Sequence, residues 1–295
     1  MERATASGYR LGGIRTVVGM LVAALLAVGV LAGCSAPAPR PVALKVAVYQ
    51  LRSDYAIRGA QIEITNPGRL DLRVTSATFG SSWFAATVSS PSAPTQLSAG
   101  STTDFRVVLA EPRCEPPTAA PVVHVRYTRP DGSRGETTVT PTIPFDSISL
   151  VHAQDCSRVE FEKVARITVA PSLRFDPPTS ADGRRAALID VTFTPTGAAG
   201  SVTLHSTEDT TLLAQREGTL RSEELTITAA SPPTTLTLDY VPAGCLQHRV
   251  AEDKIGSLIP MRVDAGPYRD ALFLVPVSAA MKGALLEWVG VYCGW

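Results

Sequence analysis

The fold is decided by a short stretch of alternating residues, QIEITNPGRLDLRV (residues 61–74). Apolar side chains take every second position before and after a turn at residues 66–68: Ile62, Ile64, Leu70, Leu72 and Val74. Alternation with a period of two buries one face of a strand, and Asn-Pro-Gly is a strong turn signal. The stretch therefore predicts two β-strands joined by a turn.

The same alternation recurs along the chain and predicts an all-β protein. It continues at 105–109 and 123–127, and in the second half at 189–193, 202–204, 225–227 and 236–240. Short strands with regular turns and a disulfide in each half predict two tandem immunoglobulin-like β-sandwich domains, at 43–169 and 170–295. Short helical inserts are predicted at 155–165, 247–254 and 278–286, although the apolar residues from Leu286 to Val291 equally fit a strand.

Matched landmarks indicate that the two halves are copies of one fold. Three pairs are 129, 131 and 137 positions apart: Gly68 with Gly197, Cys114 with Cys245, and Cys156 with Cys293. The order Cys…Trp…Cys of true immunoglobulin domains is missing, because Trp83 precedes both cysteines of its half. Only the general sandwich architecture is therefore predicted.

The four cysteines that follow residue 34 are Cys114, Cys156, Cys245 and Cys293. An even count in an exported chain predicts two disulfides, for which three connectivities exist. Pairing Cys114 with Cys156 and Cys245 with Cys293 is favoured, since each bridge then closes within one domain. A metal site is the alternative, but the chain has no C-x-x-C, and no metal is expected.

The first 34 residues have the features of an export signal. Arginines precede an apolar run from Val17 to Leu31, and Leu31-Ala32-Gly33-Cys34 follows. This ending resembles the lipobox of bacterial lipoproteins. The resemblance implies a signal peptide at 1–33, an acylated Cys34, a Pro-rich tether at 34–42, and a chain held by lipid at the extracytoplasmic face of the cell membrane. An uncut transmembrane helix and an ordinary signal peptide cut elsewhere are the alternatives.

The rest of the chain resembles secreted or envelope proteins of actinobacteria that have no assigned function. The residues that carry this resemblance are Asp155-Cys156 and Cys245 followed by Ala251-Glu252-Asp253-Lys254. The resemblance implies an envelope location and supplies no activity.

Sequence motifs of the common enzyme classes do not occur in the chain. G-x-S-x-G, S-x-x-K, H-E-x-x-H, Walker A and G-x-G-x-x-G are all missing. The acidic pairs Glu223-Glu224 and Glu252-Asp253 are adjacent residues, which on a strand point to opposite faces. The formal net charge of +0 gives no general attraction to nucleic acid. We therefore expect neither an enzyme nor a cofactor, and no nucleic-acid partner.

These features favour a membrane-anchored, non-catalytic binding or scaffold module whose partner is an envelope protein or glycan. A dense polar segment beside Cys245 is the predicted recognition patch: His248, Arg249, Glu252 and Asp253. The alternatives are a ligand- or substrate-binding lipoprotein with an enclosed pocket, and an enzyme with an unfamiliar site near His248.

Overall fold

The computed structural model describes residues 41–177, 183–216, 224–251, 253 and 257–295. The leader and Cys34 lie outside these residues, so the predicted anchor stays a prediction. None of the described helices combines the length and the apolar character needed to span a membrane.

The first module, residues 41–146, is a sandwich of two antiparallel sheets. Its strands are β1 (Lys45–Tyr49), β2 (Gly59–Thr65), β3 (Leu72–Gly80), β4 (Val88–Ser89), β5 (Thr95–Leu97), β6 (Thr102–Val108), β7 (Val122–Thr128) and β8 (Arg134–Val139). One sheet has the order β1-β2-β6, and the other has the order β4-β3-β7-β8 with β5 beside β3. Alternate residues of both sheets, such as Ile62, Phe105 and Val125, meet in one buried core.

The second module, residues 165–295, repeats this arrangement. Its strands are β9 (Ala165–Val169), β10 (Arg174–Phe175), β11 (Ala187–Pro195), β12 (Ser201–Thr207), β13 (Leu213–Gln215), β14 (Leu225–Thr228), β15 (Thr234–Pro242), β16 (Leu258–Ala265) and β17 (Tyr268–Pro276). One sheet has the order β10-β11-β15-β13 with β9 beside β11, and the other has the order β14-β12-β16-β17. Its core includes Ile189, Leu238 and Val263.

The two modules have matching strand orders. The set β9-β11-β15 corresponds to β1-β2-β6, and β14-β12-β16-β17 corresponds to β4-β3-β7-β8. A shift in register also recurs, between Val74 and Ser76 and between Leu204 and Ser206, at positions 130 residues apart. In the letters used for immunoglobulin-like sandwiches, β1, β2 and β6 (and β9, β11 and β15) are strands A, B and E. Strands β3, β7 and β8 (and β12, β16 and β17) are strands C, F and G of the facing sheet. The predicted fold class of two such sandwiches is therefore confirmed.

Three α-helices accompany the strands within the described residues: α1 (Ser147–Val164), α2 (Gln247–Ala251) and α3 (Ala279–Cys293). Helix α1 begins eight residues before the predicted insert at 155–165, and α3 continues to Cys293 through the residues that equally fitted a strand. These two helices are longer than the predicted short inserts, because each packs apolar side chains into a core along several turns.

Helix α1 belongs to both modules. Ile148 and Val151 are buried in the first core, whereas Phe161 and Val164 are buried in the second. Strand β9 follows directly and pairs with β11, so this strand, which the sequence assigned to a domain ending at 169, belongs to the second module's sheet. The modules are therefore joined by a shared, packed helix.

The sulfur pairing agrees with the favoured connectivity. Cys114 bonds to Cys156 and Cys245 bonds to Cys293. Each bridge ties the segment after strand E to the helix that follows strand G. The final helix of each module is therefore held over the same end of its sandwich.

Candidate binding groove

The predicted recognition patch is only partly described by the structure. His248 lies on α2 and is exposed to solvent, and the Thr211 hydroxyl donates a hydrogen bond to the carboxylate of Asp253. Glu252 and the side chain of Arg249 lie outside the described residues. The patch therefore stays a prediction.

The other histidines have partners on the sheets or beside a disulfide. His124 lies 2.8 Å from the hydroxyl of Thr138, and His152 Nε2 donates to the Arg113 carbonyl at 2.7 Å. His205 Nε2 lies 2.9 Å from Asp264, and a hydrogen bond to this carboxylate raises the pKa of His205 despite its partial burial. Among the described residues, no group of three His, Cys, Asp or Glu side chains is placed to hold a metal ion.

A groove of about 770 Å³ lies at one end of the second module. One wall consists of described residues of the connection between β9 and β11, including Leu173, Phe175, Arg184 and Arg185. The other wall is a face of α3: Ala280, Ala284, Glu287, Trp288, Val291 and Tyr292. The sequence did not predict this groove, because its two walls are about a hundred residues apart in the chain.

The helical wall is defined by local sequence signals. The Ser278 hydroxyl accepts a hydrogen bond from the Met281 amide at 3.1 Å and caps the helix, which is then rich in alanine and leucine. Gly294 ends it in the left-handed conformation, at a φ of 76°. Leu285 and Trp288 are buried, which leaves Val291 on the outer face with 77% of its surface exposed.

Ion pairs and hydrogen bonds hold the described residues of the opposite wall. Arg174 binds Asp190 through two hydrogen bonds of 2.7 and 2.6 Å, and this contact lowers the pKa of the Asp190 carboxyl. Asp176 accepts from Arg216 and, at 2.7 Å, from the Ala186 amide. Burial would raise the pKa of Asp176, but these hydrogen bonds outweigh it and the pKa is lowered. These described residues of the wall are therefore held in place by contacts within the second module.

Aromatic rings and guanidinium groups form the surface inside the groove. The Trp288 indole donates to the Arg185 carbonyl at 2.9 Å, which joins the two walls. Arg184 lies over the Tyr292 ring at 5.4 Å, and Arg185 lies over Phe175 at 5.5 Å. Such flat apolar faces with a few fixed polar groups are typical of binding sites.

A much smaller cavity of about 110 Å³ lies at the junction of the two modules. Arg58, in the connection before β2, forms its main ion pair there, with Asp155 of α1 at 2.7 Å. The same arginine donates to the carbonyls of Leu109 and Ala110 at 3.3 and 2.8 Å. Leu258 and Pro276 of the second module line the same cavity, so residues of both modules meet around it.

No protein family model and no curated protein matches this chain. Among solved structures it is similar to the BSP domain of a biofilm-associated protein, with 8% identity and a TM-score of 0.23 over 79% of this chain and 57% of that one. It is also similar to red sea bream transglutaminase, with 11% identity and a TM-score of 0.21 over 81% and 32% of the two chains. CBD12 from CALX1.2 matches with 10% identity and a TM-score of 0.21 over 76% and 83%. Similarities at TM-scores this low give no information about the activity of this chain.

Proposed function

We propose that this protein is a lipoprotein whose acylated Cys34 holds it at the outer face of the cytoplasmic membrane. There it acts as a non-catalytic binding module for a protein or glycan of the cell envelope. Two disulfides support an oxidising compartment, since they persist outside the cytoplasm. The apolar leader ending in Leu31-Ala32-Gly33-Cys34 supports lipid attachment.

The groove beside α3 is the observation that carries the binding proposal. Its aromatic and aliphatic lining is partly solvent-exposed, with Phe175 at 39% and Val291 at 77%. Exposed apolar side chains gathered in one concavity mark interaction sites more often than scattered ones do. The ion pairs that fix one wall reduce the ordering cost of binding.

The helix shared by the two modules supports the same proposal. Because α1 contributes side chains to both cores, the modules form one compact unit over residues 41–295. Such a unit would present its groove on a fixed body beyond the Pro-rich tether.

The anchor is tested by mass spectrometry of protein from the membrane fraction. We expect residue 34 to carry the acyl chains, and Cys34→Ala to move the protein into the soluble fraction. An unmodified Cys34 in membrane-bound protein would contradict the anchor.

The binding role is tested by chemical crosslinking in cells, followed by purification of the membrane fraction. We expect specific adducts with an envelope protein or glycan, and no turnover of a panel of generic hydrolase substrates. Turnover that one substitution abolishes would replace this proposal with an enzyme.

A small apolar ligand is the second candidate, because the groove volume of about 770 Å³ lies within the range of small-molecule sites. A thermal-shift screen against lipids and glycans would then find a stabilising ligand. Filling the groove with Ala284→Trp would remove that stabilisation.

A further inference from the structure

The outer edge of β1, strand A of the first module, is covered by a later segment of the same chain. The Val48 amide donates to the Thr142 carbonyl at 2.9 Å, and the Thr142 amide donates to the Val46 carbonyl at 3.0 Å. The segment runs parallel to β1. Pro141 is buried, and Ile143 packs against the first core. The segment therefore satisfies the backbone of this edge and adds apolar side chains beside it.

Strand β9 is strand A of the second module, and two of its residues correspond to the two valines of β1. Ile167 takes the place of Val46, and Val169 takes the place of Val48. Their partners on β2 and β11 are 129 positions apart, which is the spacing of the matched glycines at 68 and 197. The two edges can therefore be compared residue by residue.

The outer edge of β9 is not paired in the part of the chain that the structure describes. The Ala170 amide donates to the Asp190 carbonyl at 2.8 Å, so Ala170 directs its backbone towards β11. Because backbone direction alternates along a strand, Ile167 and Val169 direct theirs away from β11. No described residue forms a hydrogen bond with the Val169 amide or the Ile167 carbonyl on that side. This edge therefore offers one free donor and one free acceptor.

The edge is open because the chain after strand G takes a different path in the second module. Val139 and Val275 occupy corresponding positions on β8 and β17, and Thr142 and Ser278 each lie three residues further on. In the first module this continuation crosses to β1. In the second, the Val277 amide still bonds to the segment before β16, and Ser278 then caps α3. The helix therefore begins where a covering segment would otherwise start.

A cavity of about 500 Å³ lies beside this edge, between β9, the end of β17 and α1. The residues that line it include Ile167, Val169, Leu274, Val275, Arg158 and Glu162. Ile167 and Val169 pack against the second core but are only partly buried, whereas Val46 and Val48 are buried. The cavity therefore lies where the first module has its covering segment.

We infer that the edge of β9 binds an extended segment of a partner protein as an added parallel strand. One residue of that segment donates its amide to the Ile167 carbonyl and accepts from the Val169 amide, as Thr142 does at β1. The residues on either side of it carry apolar side chains that enter the cavity, as Pro141 and Ile143 do in the first module.

This inference rests on the proposed binding function and names its partner class. The site shares no described lining residue with the groove beside α3, so the two surfaces can be tested independently.

The free backbone groups select a polypeptide as the occupant. A strand supplies an acceptor and a donor at the spacing that this edge requires, whereas an acyl chain supplies neither. In a second copy of the chain, the segment around Thr142 is already bonded to its own β1. The occupant is therefore a segment of a different protein.

Binding of a labelled peptide to the full chain in detergent is the first arm of the test. The probe has the sequence of residues 139–144, Val-Thr-Pro-Thr-Ile-Pro, followed by a labelled lysine. The control peptide carries an N-methyl group on its second threonine, which removes the amide donor that the Ile167 carbonyl would accept. We expect the control to bind roughly tenfold more weakly. Equal affinities, or no binding of the probe, would overturn the inference.

Two variants of one residue separate the backbone contact from the side chain. Val169→Pro removes the edge amide, and proline is tolerated at a sheet edge where that amide has no ladder partner. Val169→Ala keeps the amide and is the matched control for the shortened side chain. We expect Val169→Pro to weaken binding of the probe roughly tenfold and Val169→Ala less than about threefold. Thermal unfolding verifies the fold of both, and full affinity in Val169→Pro would count against the inference.

Amide hydrogen exchange tests the same contact without any substitution. In the free chain, the Val169 amide should exchange at least roughly tenfold faster than the Val48 amide, which the Thr142 carbonyl protects. Saturation with the probe should slow exchange at Val169 and leave Val48 unchanged. Equal protection of the two amides in the free chain, or no response of Val169 to the probe, contradicts an open edge that accepts a strand.

Photocrosslinking in the protein's own cells identifies the natural occupant. A benzophenone amino acid is placed at Thr168, which is exposed beside the edge, and the control is Ala47, its counterpart on the covered β1. We expect an adduct from position 168 alone, joined to another protein at a segment with apolar residues at alternate positions, and lost in Val169→Pro. No adduct, an adduct with a second copy, a glycan or a lipid, or one that persists in Val169→Pro excludes this occupant.

The two proposals fail separately. If the wild-type chain and Val169→Pro capture the same envelope partner equally, the binding function stands and its assignment to β9 falls. If the probe binds at β9 but residue 34 is unmodified in membrane-bound protein, the edge assignment stands and the lipid anchor falls.

Discussion

The first module has its final helix covered, whereas the second module has the corresponding helix exposed. Both are sandwiches with one strand order and one disulfide between the same two elements. In the first, α1 continues beyond Cys156 for two further turns and enters the second core with Phe161 and Val164. In the second, α3 ends at Cys293 and retains Val291 at its surface. In this duplicated fold, the end of α1 therefore packs between the two modules, whereas the end of α3 forms part of the outer surface.

The chemistry of the two sites follows this difference. At the covered junction a charged pair forms, Arg58 with Asp155, whose side chains are only 20% and 9% exposed. At the open groove the corresponding helical residue is Tyr292, which offers an apolar face with a hydroxyl. The paired charges help specify one internal arrangement, whereas the aromatic ring adds apolar surface to the groove.

The largest expected difference between the modules comes from removing one disulfide at a time. The sequence separations are 42 and 48 residues, for which the chain-entropy model gives about 4 kcal/mol each. We expect Cys114→Ser with Cys156→Ser to increase amide exchange in both modules, because α1 supports both cores. Cys245→Ser with Cys293→Ser should affect the second module alone. Unchanged exchange in the second module after loss of the first bridge would contradict the shared role of α1.

Breaking the ion pair at the junction should have the next largest effect. Asp155→Ala leaves the partly buried guanidinium of Arg58 without its main partner, and we expect the free energy of unfolding to fall by about 3 kcal/mol. Glu111→Ala is the matched control, because Glu111 binds the same arginine but is 79% exposed, and it should cost less than about 1 kcal/mol. Urea denaturation measures both. Equal losses would show that burial does not set the strength of these pairs.

A glycine in a turn tests whether the two modules require glycine at corresponding positions for the same physical reason. Gly197 has a φ of 85°, which an alanine adopts only with strain, so Gly197→Ala should cost about 1–2 kcal/mol. Gly197→Asn should recover part of the loss, since asparagine tolerates the left-handed region better. Its counterpart Gly68 is not in that region, and the Asn66 amide oxygen would lie only 3.0 Å from an added Cβ. Thermal unfolding of the two Gly197 variants checks this, and an alanine without cost would contradict it.

The smallest expected effect is a pH dependence confined to the second module. Hydrogen bonding to Asp264 raises the pKa of His205 above its ordinary value of 6.5. The stabilisation is therefore complete below about pH 6.5 and is lost as the pH rises through the folded value, by less than about 1 kcal/mol. The pKa of Asp264 is lowered, chiefly by the Asp270 amide and then by His205, so the carboxylate remains charged in this range.

Unfolding of the wild type and of His205→Gln between pH 5 and pH 9 measures this contribution. In the variant, the free energy of unfolding should no longer show the decrease that the wild type shows above about pH 6.5. His124→Gln is the matched control, because its ring partner on the first module is the Thr138 hydroxyl. A wild-type stability that rises through this range would contradict the sign.

The strands could be read from the sequence because alternation is a local signal. Ile62, Ile64 and Val74 are all buried, as the period of two predicts. The favoured cysteine pairing follows from the repeat, since each bridge closes within one copy. Helix lengths were harder to predict from the sequence, because the residues that extend α1 are held by contacts with both modules rather than by local propensity.

The groove could not be predicted from local patterns. The spacing of Met281, Leu285 and Trp288 indicates a helix, but not which face remains uncovered. Phe175 and Arg184 join that face only after the sheet has formed between β11 and β15. The polar segment around His248 was prominent in the sequence, but Glu252 and the side chain of Arg249 lie outside the described residues.

The sequence by itself determined the strand pattern, indicated the duplication and favoured one pairing of the cysteines, because each depends on residue types at short or repeated spacings. Only the tertiary structure decided that one final helix would be covered and its copy left open. That outcome depends on which surfaces meet when two sandwiches pack around α1. The packing of distant residues is a property of the whole fold, and no short window of residues encodes it.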